Sequence, residues 1–375
     1  MRGVLLVGLL LSACAPRDPT APALPPGDYE PRKEDDTLPL PTDRADAMRA
    51  GALARARVWR EPPQPIGEVD FRRNPPGGNS FSPADEISCK FELRRSYGRT
   101  PKFYCILAGG EVLKVKYGHR NPEAVTEVAA ARLLSALGFG ADLMYAVARV
   151  RCFGCPPYPQ PRFRWLDAFF SREDRAVDFA PASVERPFPG KKIAAHGAPG
   201  WAWYELERID PGGGANRAER DALRLVAVLL ADWDNKAPNQ RLVCLPGAEQ
   251  AGGECREPFA FLQDVGATFG PLALDLEAWR KVPVWADREA CRVDMKSLPY
   301  HGATFGEAEI SEGGRKLLAT ELKQLRAAQV RDLFAAAGFA QFEAGPDANR
   351  DLDGWVRAFE VKVAEVADGP PCPTP

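Results

Sequence analysis

The chain is short of histidine. Only His119, His196 and His301 occur among 375 residues, which argues against a metal centre built on several imidazoles. Each lies in loop-like sequence and reads as a surface or hydrogen-bonding residue. No Gly-x-Ser-x-Gly elbow is present, so a serine-hydrolase reading has little support. No apolar run is long enough for a membrane-spanning helix, and no internal repeat appears. Charge of one sign is also missing: 49 basic against 51 acidic residues give a net charge of −2. That argues against a whole-chain polyanion binder, so no nucleic-acid partner is expected. Glycine (33) and proline (36) are plentiful and point to long loops, and nine cysteines are many for a reducing compartment.

The N-terminus accounts for the cysteines. Met1-Arg2 is a short basic start, and Gly3 to Leu11 is apolar but too short to span a bilayer. Leu11-Ser12-Ala13-Cys14 then resembles the lipobox of a bacterial lipoprotein, an ordinary secretory leader being the alternative. The resemblance implies a signal peptide over residues 1–13, and an acylated Cys14 that anchors the chain to a lipid bilayer without spanning it. Ala15, rather than Asp, follows the cysteine. This is similar to Gram-negative sorting to the outer membrane and implies a cell-envelope protein facing the periplasm or the surface. The eight remaining cysteines suit an oxidising compartment. Chain order suggests the disulfides Cys89–Cys105, Cys152–Cys155, Cys244–Cys255 and Cys291–Cys372. Cys152-Phe153-Gly154-Cys155 would also suit half a zinc site or a redox pair. The first lacks a second ligand pair of standard spacing, and in the second Pro156-Pro157 stands where a helix should start.

Residues 14–83 carry 14 prolines and read as an extended, largely disordered tether, with one short helix between Asp43 and Trp59. From Ile87 the pattern alternates as a half-buried strand does. Lys102 to Leu107 and Glu111 to Tyr117 flank Ala108-Gly109-Gly110, a hairpin signal. A helix follows, with Asn121 as N-cap, Pro122 in the first turn and Gly138 at the end. Met144 to Cys152 reads as one strand, the stretch to Pro199 as a polar insertion, and Trp201 to Ile209 as an aromatic strand. Arg217 to Ala231 is a helix, short strands lie near Arg241–Cys244 and Phe259–Leu262, and helices fill the rest. The expected fold is α+β and two-lobed: a small antiparallel β-rich N-lobe with one helix over 84–209, a larger α-helical C-lobe over 210–375, and disulfide stabilisation.

The informative stretch is Asp232-Trp233-Asp234-Asn235-Lys236-Ala237-Pro238-Asn239, followed by Gln263-Asp264-Val265-Gly266. It resembles the catalytic and metal-binding segments of the protein-kinase-like superfamily, in the style of its atypical branch: HipA-type, phosphatidylinositol-kinase-like and secretory-pathway kinases. The resemblance implies ATP with Mg²⁺ or Mn²⁺ as cofactor. Asn239 and Asp264 would be hard oxygen ligands for the metal, Asp234 would accept the proton of an attacking hydroxyl, and Lys236 would touch the transferred phosphoryl group. Lys114 would hold phosphates and pair with Glu127 on the next helix. Lys116 lies on the same strand face, and Lys114 is favoured. Ser96 to Thr100, with the single glycine Gly98, stands where a phosphate-covering loop would. Glu205 to Ile209 would be the connector beside the base.

The departures bear on substrate. Asp232-Trp233 replaces the His-Arg before the catalytic aspartate, Val265 replaces Phe, and no Ala-Pro-Glu follows. Near the C-terminus, Asn349-Arg350-Asp351-Leu352-Asp353-Gly354 with Glu360 has the spacing of a calcium-binding EF-hand loop; the competing reading is a helix cap at Asp351 or Asp353. The expected function is a membrane-anchored, kinase-like domain that binds nucleotide and divalent metal and phosphorylates a hydroxyl. The alternatives are a non-catalytic envelope lipoprotein used as a binding module and a plain structural envelope protein. No protein partner is indicated.

Overall fold

A computed structural model describes residues 23–32, 36–77, 79–160, 167, 169–171, 175–271, 273–296 and 302–373. Cys14 with its leader, and His301, lie outside the described residues. Strands β1 (Glu86–Glu92), β2 (Lys102–Ile106) and β3 (Val112–Tyr117) pair antiparallel in succession. Gly109 and Gly110 turn the second hairpin at φ +123° and +83°, backbone that favours glycine. Because side chains alternate across a strand, Phe103, Cys105, Leu113, Val115 and Tyr117 enter one core. Lys102, Tyr104, Lys114 and Lys116 take the opposite face.

The expected strand from Met144 to Cys152 is two, β4 (Leu143–Val147) and β5 (Arg149–Phe153). The presumed polar insertion supplies three more: β6 (Ala176–Phe179), β7 (Ala182–Arg186) and the short β8 (Lys191–Lys192). Seven strands form one sheet in the order β4-β7-β3-β2-β1-β5-β6, antiparallel except for β1–β5. The sheet curls on itself. Phe179, on an edge strand, packs against Phe103 and Tyr117 from interior strands at 4.7 and 4.5 Å. The enclosed core holds the disulfides Cys89–Cys105 and Cys152–Cys155. The second is buried in that core at S–S bonding distance, in line with the disulfide expected there.

The presumed tether is packed over most of its described length. Helix α1 (Ala45–Ala54) falls inside the expected window, but Leu38, Leu53, Val58, Ile66 and Phe71 are all buried in the main core. Prolines suggested an extended chain; outside α1 and a short 3₁₀ turn the segment runs along the domain, with its sparse apolar residues inserted into the main core. Leu38 N donates to Lys192 O, and Arg57 N donates to Pro258 O. Trp59 Nε1 donates to Leu137 O at 2.8 Å, and Gln329 Nε2 reaches Ile66 O and Val69 O.

Helix α2 (Glu123–Ala136) covers the lysine-bearing side of the sheet, with every residue from Ala124 to Leu134 buried. Asn121 does not cap it. Its amide donates to Pro101 O and Tyr117 O, fastening the helix entry to β2 and β3. Helix α3 (Arg217–Leu230) opens with a capping box between Asn216 and Glu219 and ends at Ala231 in the left-handed region (φ +54°). A sharp turn there aims the following loop back toward the sheet. Strands β9 (Gln240–Cys244) and β10 (Pro258–Leu262) form a hairpin closed by Cys244–Cys255. Helices α4 (Leu276–Lys281), α5 (Glu312–Leu322), α6 (Ala327–Ala336) and α7 (Leu352–Ala367) complete the helical lobe. Phe269, Trp279, Phe334, Phe339 and Trp355 pack edge-on and tilted against one another at its centre. Burying each such ring contributes roughly 1.5–3 kcal/mol. Cys291–Cys372 ties down the chain end. The chain is thus α+β, with a curled β-rich lobe and a helical lobe around one continuous main core.

The calcium-loop spacing does not survive. Helix α7 begins at Leu352, so Leu352 to Glu360 are helical rather than a coordinating loop. Asn349 is buried and committed, its amide donating to Leu274 O and its carbonyl accepting from Leu276 N. Asp353 pairs with Arg331. Among the described residues no helix is long and apolar enough to cross a membrane.

Candidate functional site

Three lysines and four carboxylates meet where α2 lies over the sheet. Lys102 and Lys116 are cross-strand partners, as are Lys114 and Glu185. Lys116, wholly buried, pairs with Glu127, itself 1% exposed. It also lies 3.4 Å from Glu185 and 3.9 Å from Glu123. Lys102 bonds Glu123 at 2.7 Å, and Lys114 bonds Glu185 at 2.7 Å. The lysine that meets the helix glutamate is therefore Lys116, not the favoured Lys114. Both point to one face, and the helical phase of Glu127 selects the residue further along the strand. Lys114 keeps the more open position, with its side chain 18% exposed.

Asp264 joins this cluster from the helical lobe. Burial works to raise its carboxyl, but Lys116, Lys114 and Lys102 overcome that and hold it below the usual carboxylate range. Burial is likewise outweighed at Lys114, whose proton Glu185 and Asp264 hold more tightly than usual. At Lys116 burial, with Lys114 beside it, wins and lowers proton affinity. Glu185 and Glu123 stay below their ordinary range, burial being offset by the lysines. Asp264 Oδ1 accepts from Gly266 N at 3.4 Å, and Thr126 of α2 donates to Gly266 O at 2.7 Å. The Asp-Val-Gly turn is thereby locked to the helix that carries Glu127.

The loop after α3 meets the same place. The amides of Gln263 and Asp264 both donate to Asn239 O, at 2.9 and 3.0 Å. The Asn239 side chain donates to Asp234 O at 2.6 Å. Lys236 grips both oxygens of Asp234 at 2.7 Å. Asn235 is buried and structural: its Oδ1 accepts from Thr304 N and Phe305 N. Asp232 is 2% exposed, and its Oδ1 has no hydrogen-bond partner among the described residues. Burial, then Asp264 and Asp234, push its carboxyl well above the ordinary range. A third acid thus stands among the loop carboxylates, held toward its neutral form.

Of the sequence candidates, Lys114, Glu127, Asp234, Lys236, Asn239 and Asp264 fall in one connected region. Gly98 sits at its edge: φ is +94°, and a Cβ there would come 3.2 Å from Lys102 Nζ, so the loop lies directly on a cluster lysine. Glu205 falls elsewhere. The expected aromatic strand is a 3₁₀ turn over Trp203–Arg208. Glu205 takes Arg49 in a two-pronged contact, from 3.0 Å, and caps Ala202 N at 2.8 Å, which fixes α1 to the turn. Glu185, Glu123, Lys102 and Asp142 were missed. Glu185 could have been found from the alternation of Ala182-Ser183-Val184-Glu185-Arg186, and Lys102 from its place two residues before Tyr104 on the lysine face. Asp142 accepts from Phe188 N and Gln263 Nε2, both at 2.8 Å. Burial, then Glu185, push it up to about 7.

As to metal, no group of three or more His, Cys, Asp or Glu side chains at ligating spacing occurs among the described residues. The oxygen donors at this place are Asp264 and Asn239, with Asp234 and Asp232 near. Two or three oxygens suit Mg²⁺, which retains waters and takes phosphate oxygens, better than a cation that needs a protein cage.

No family model and no curated protein matches the chain. Among solved structures it is similar in outline to a Helicobacter pylori proinflammatory kinase, CtkA. The identity is 10% and the TM-score 0.39, over 75% of this chain and 96% of that one.

Proposed function

We propose that the chain is an atypical kinase-like domain that binds a nucleoside triphosphate with Mg²⁺ or Mn²⁺ and transfers phosphate to a hydroxyl. The observation that carries this reading is the joining of a strand lysine, a helix glutamate and an Asp-x-Gly aspartate in one buried cluster, with the Asp234–Asn239 loop hydrogen-bonded to that aspartate. Phosphoryl transfer needs placement and charge neutralisation more than covalent chemistry. In this reading Lys114, the more open lysine, takes phosphate oxygens; Lys116–Glu127 sets the strand against the helix; Asp264 and Asn239 hold the metal; Asp234 accepts the hydroxyl proton. The Leu11-Ser12-Ala13-Cys14 signal and the four disulfides support placing it on a lipid anchor at Cys14 in the cell envelope.

A second reading has its own support. Lys236 closes on both oxygens of Asp234, and each cluster lysine already has a carboxylate within 2.7 Å or closer. A site so self-neutralised also suits a non-catalytic module that binds without turnover.

Thermal melting of the full, disulfide-bonded chain with ATP and Mg²⁺ or Mn²⁺ tests the first step. A ligand that binds only the folded state stabilises by mass action, about 2.7 kcal/mol at a hundred times Kd. A metal-dependent rise in Tm that Asp264→Asn loses supports the nucleotide cleft. Phosphate release or transfer then separates kinase from binding module. No rise at millimolar nucleotide on a folded protein refutes both the kinase and the nucleotide-binding form of the module.

A further inference from the structure

A cavity of about 630 Å³ opens in the helical lobe. Trp203 and Tyr204 of the 3₁₀ turn form one side, and Arg217, Asp221 and Arg224 of α3 form a second. The stretch from Thr304 to Glu309 closes the third. That third wall is fastened to the loop described above: Thr304 N and Phe305 N both donate to Asn235, the residue after Asp234, at 3.2 and 3.0 Å. Trp203 N donates to Thr304 Oγ1 at 3.0 Å, and the Trp203 and Phe305 rings meet edge to face. The cavity and the Asp234 loop therefore share a wall.

The wall carries both signs in near balance, Arg217, Arg220 and Arg224 against Glu207, Asp221, Glu307 and Glu309, and most of them are already engaged. Arg217 lies 3.4 Å from Asp221, Arg224 lies 3.0 Å from Asp221, and Arg224 also grips Glu207. A free anion here would meet Asp221, Glu207 and Glu307, and a free cation would meet the arginines, so neither sign is favoured. A neutral molecule with many hydroxyls can give hydrogen bonds to the carboxylates and take them from the guanidiniums without stranding either ion. Tyr204, 63% exposed at this surface, offers a flat ring to stack on. The Trp203 indole N–H, buried in the same wall, has no hydrogen-bond partner among the described residues. A volume of this size holds a ligand of a few rings.

We infer that this cavity binds a neutral carbohydrate, and that the carbohydrate is the hydroxyl acceptor of the phosphotransfer proposed above; the second half rests on that reading. In the transfer, a sugar oxygen bonds to the γ-phosphorus of the nucleoside triphosphate. The bond from that phosphorus to the β,γ-bridging oxygen breaks, the diphosphate leaves, and the hydroxyl proton passes to Asp234.

The test is saturation-transfer NMR on the full chain, with maltotriose, xylotriose and chitotriose as neutral probes and a glucuronate-bearing disaccharide as anionic control. ATP binding is followed separately by thermal shift. The expected result is saturable transfer to at least one neutral probe, weakened about fivefold or more in Tyr204→Ala, since stacking of this kind contributes on that order. Tyr204 is exposed, so the variant should fold, and its ATP response should match the parent's. No transfer to any neutral probe, transfer untouched by Tyr204→Ala, or preference for the anionic control would each overturn the assignment. Sugar binding without an ATP response would keep the cavity's assignment and remove the phosphotransfer reading.

Discussion

Replacing Lys116 with methionine removes the only cation among the described residues within bonding distance of Glu127 and takes a neighbour from Glu185 and Glu123. Two lysines then face four carboxylates, and Glu127, 1% exposed, keeps a charge with no water to solvate it. Breaking a buried pair from one side costs on the order of 3–5 kcal/mol. Glu127→Gln is gentler, about 1–2 kcal/mol, because the amide oxygen still accepts from Lys116 and no lone anion is left. The double variant Lys116→Met/Glu127→Leu should recover most of the loss, since replacing both ions with apolar groups is often neutral or stabilising. Urea unfolding of the parent, Lys116→Met, Glu127→Leu and the double variant gives the cycle. A coupling energy of about 2 kcal/mol or more is expected for residues in direct contact. A cost below about 1 kcal/mol for Lys116→Met, or strict additivity, would refute the claim that this pair holds strand and helix together.

Lys114→Met should cost less stability than Lys116→Met, because Lys114 is partly open, yet it should abolish the nucleotide-induced Tm rise; retained binding would move the phosphate contact elsewhere. Asp142 is raised to about 7, so its contribution is whole below about pH 4 and is lost as pH rises through 7. Asp142→Asn should therefore gain on the parent as pH climbs from 4.5 to 8, by an upper bound of about 4 kcal/mol, and parallel urea midpoints across that range would show the reasoning wrong. A Cβ on Gly138 (φ +87°) would lie 2.1 Å from Arg60 O; Gly138→Ala should lower Tm by several degrees, and an unchanged Tm would mean that the contact gives way freely. The paired Cys244→Ser/Cys255→Ser change should raise hydrogen exchange at Asn239 and Asp264 more than at α7, because the opened hairpin is the one that carries them.

The loop and helix parts of the site were legible because punctuation marks them: the apolar helix before the loop, the Asp-to-Asn spacing after it, and Asp-Val-Gly behind two short strands. The disulfides followed chain order because three of the four close short loops. The strand face of Glu185 could be read from alternation, but its pairing with Lys114 was not legible, for a topological reason. Strand β7 inserts between β3 and β4, so the partner of Lys114 arrives from far along the chain, within a proline-flanked stretch. The choice between Lys114 and Lys116 turns on the rotation of α2 about its axis, and alternation along a strand carries no information about that. Trp201 to Ile209 has strand-like composition, yet Glu205 turns back to cap Ala202 and bends the segment into a 3₁₀ turn. The N-terminal segment has too few apolar residues to show a period, so its packing could not be seen until the surface that receives it was in place.

That segment has a mechanical consequence. Within four residues it bonds to both lobes: Arg57 continues the β10 edge of the helical side, with Arg57 N on Pro258 O and Ala260 N on Arg57 O, while Trp59 and Arg60 hold the end of α2 at Leu137 and Gly138. Lobes that swing apart would have to tear this stitch from one bank or the other, since Val58 between them is itself wholly buried. The seam between the lobes is thus splinted rather than hinged. A ligand bound there, as proposed above, would meet walls already set in place, and any breathing must come from the side chains and loops at the rim, with Ser96 to Thr100 the first place to look.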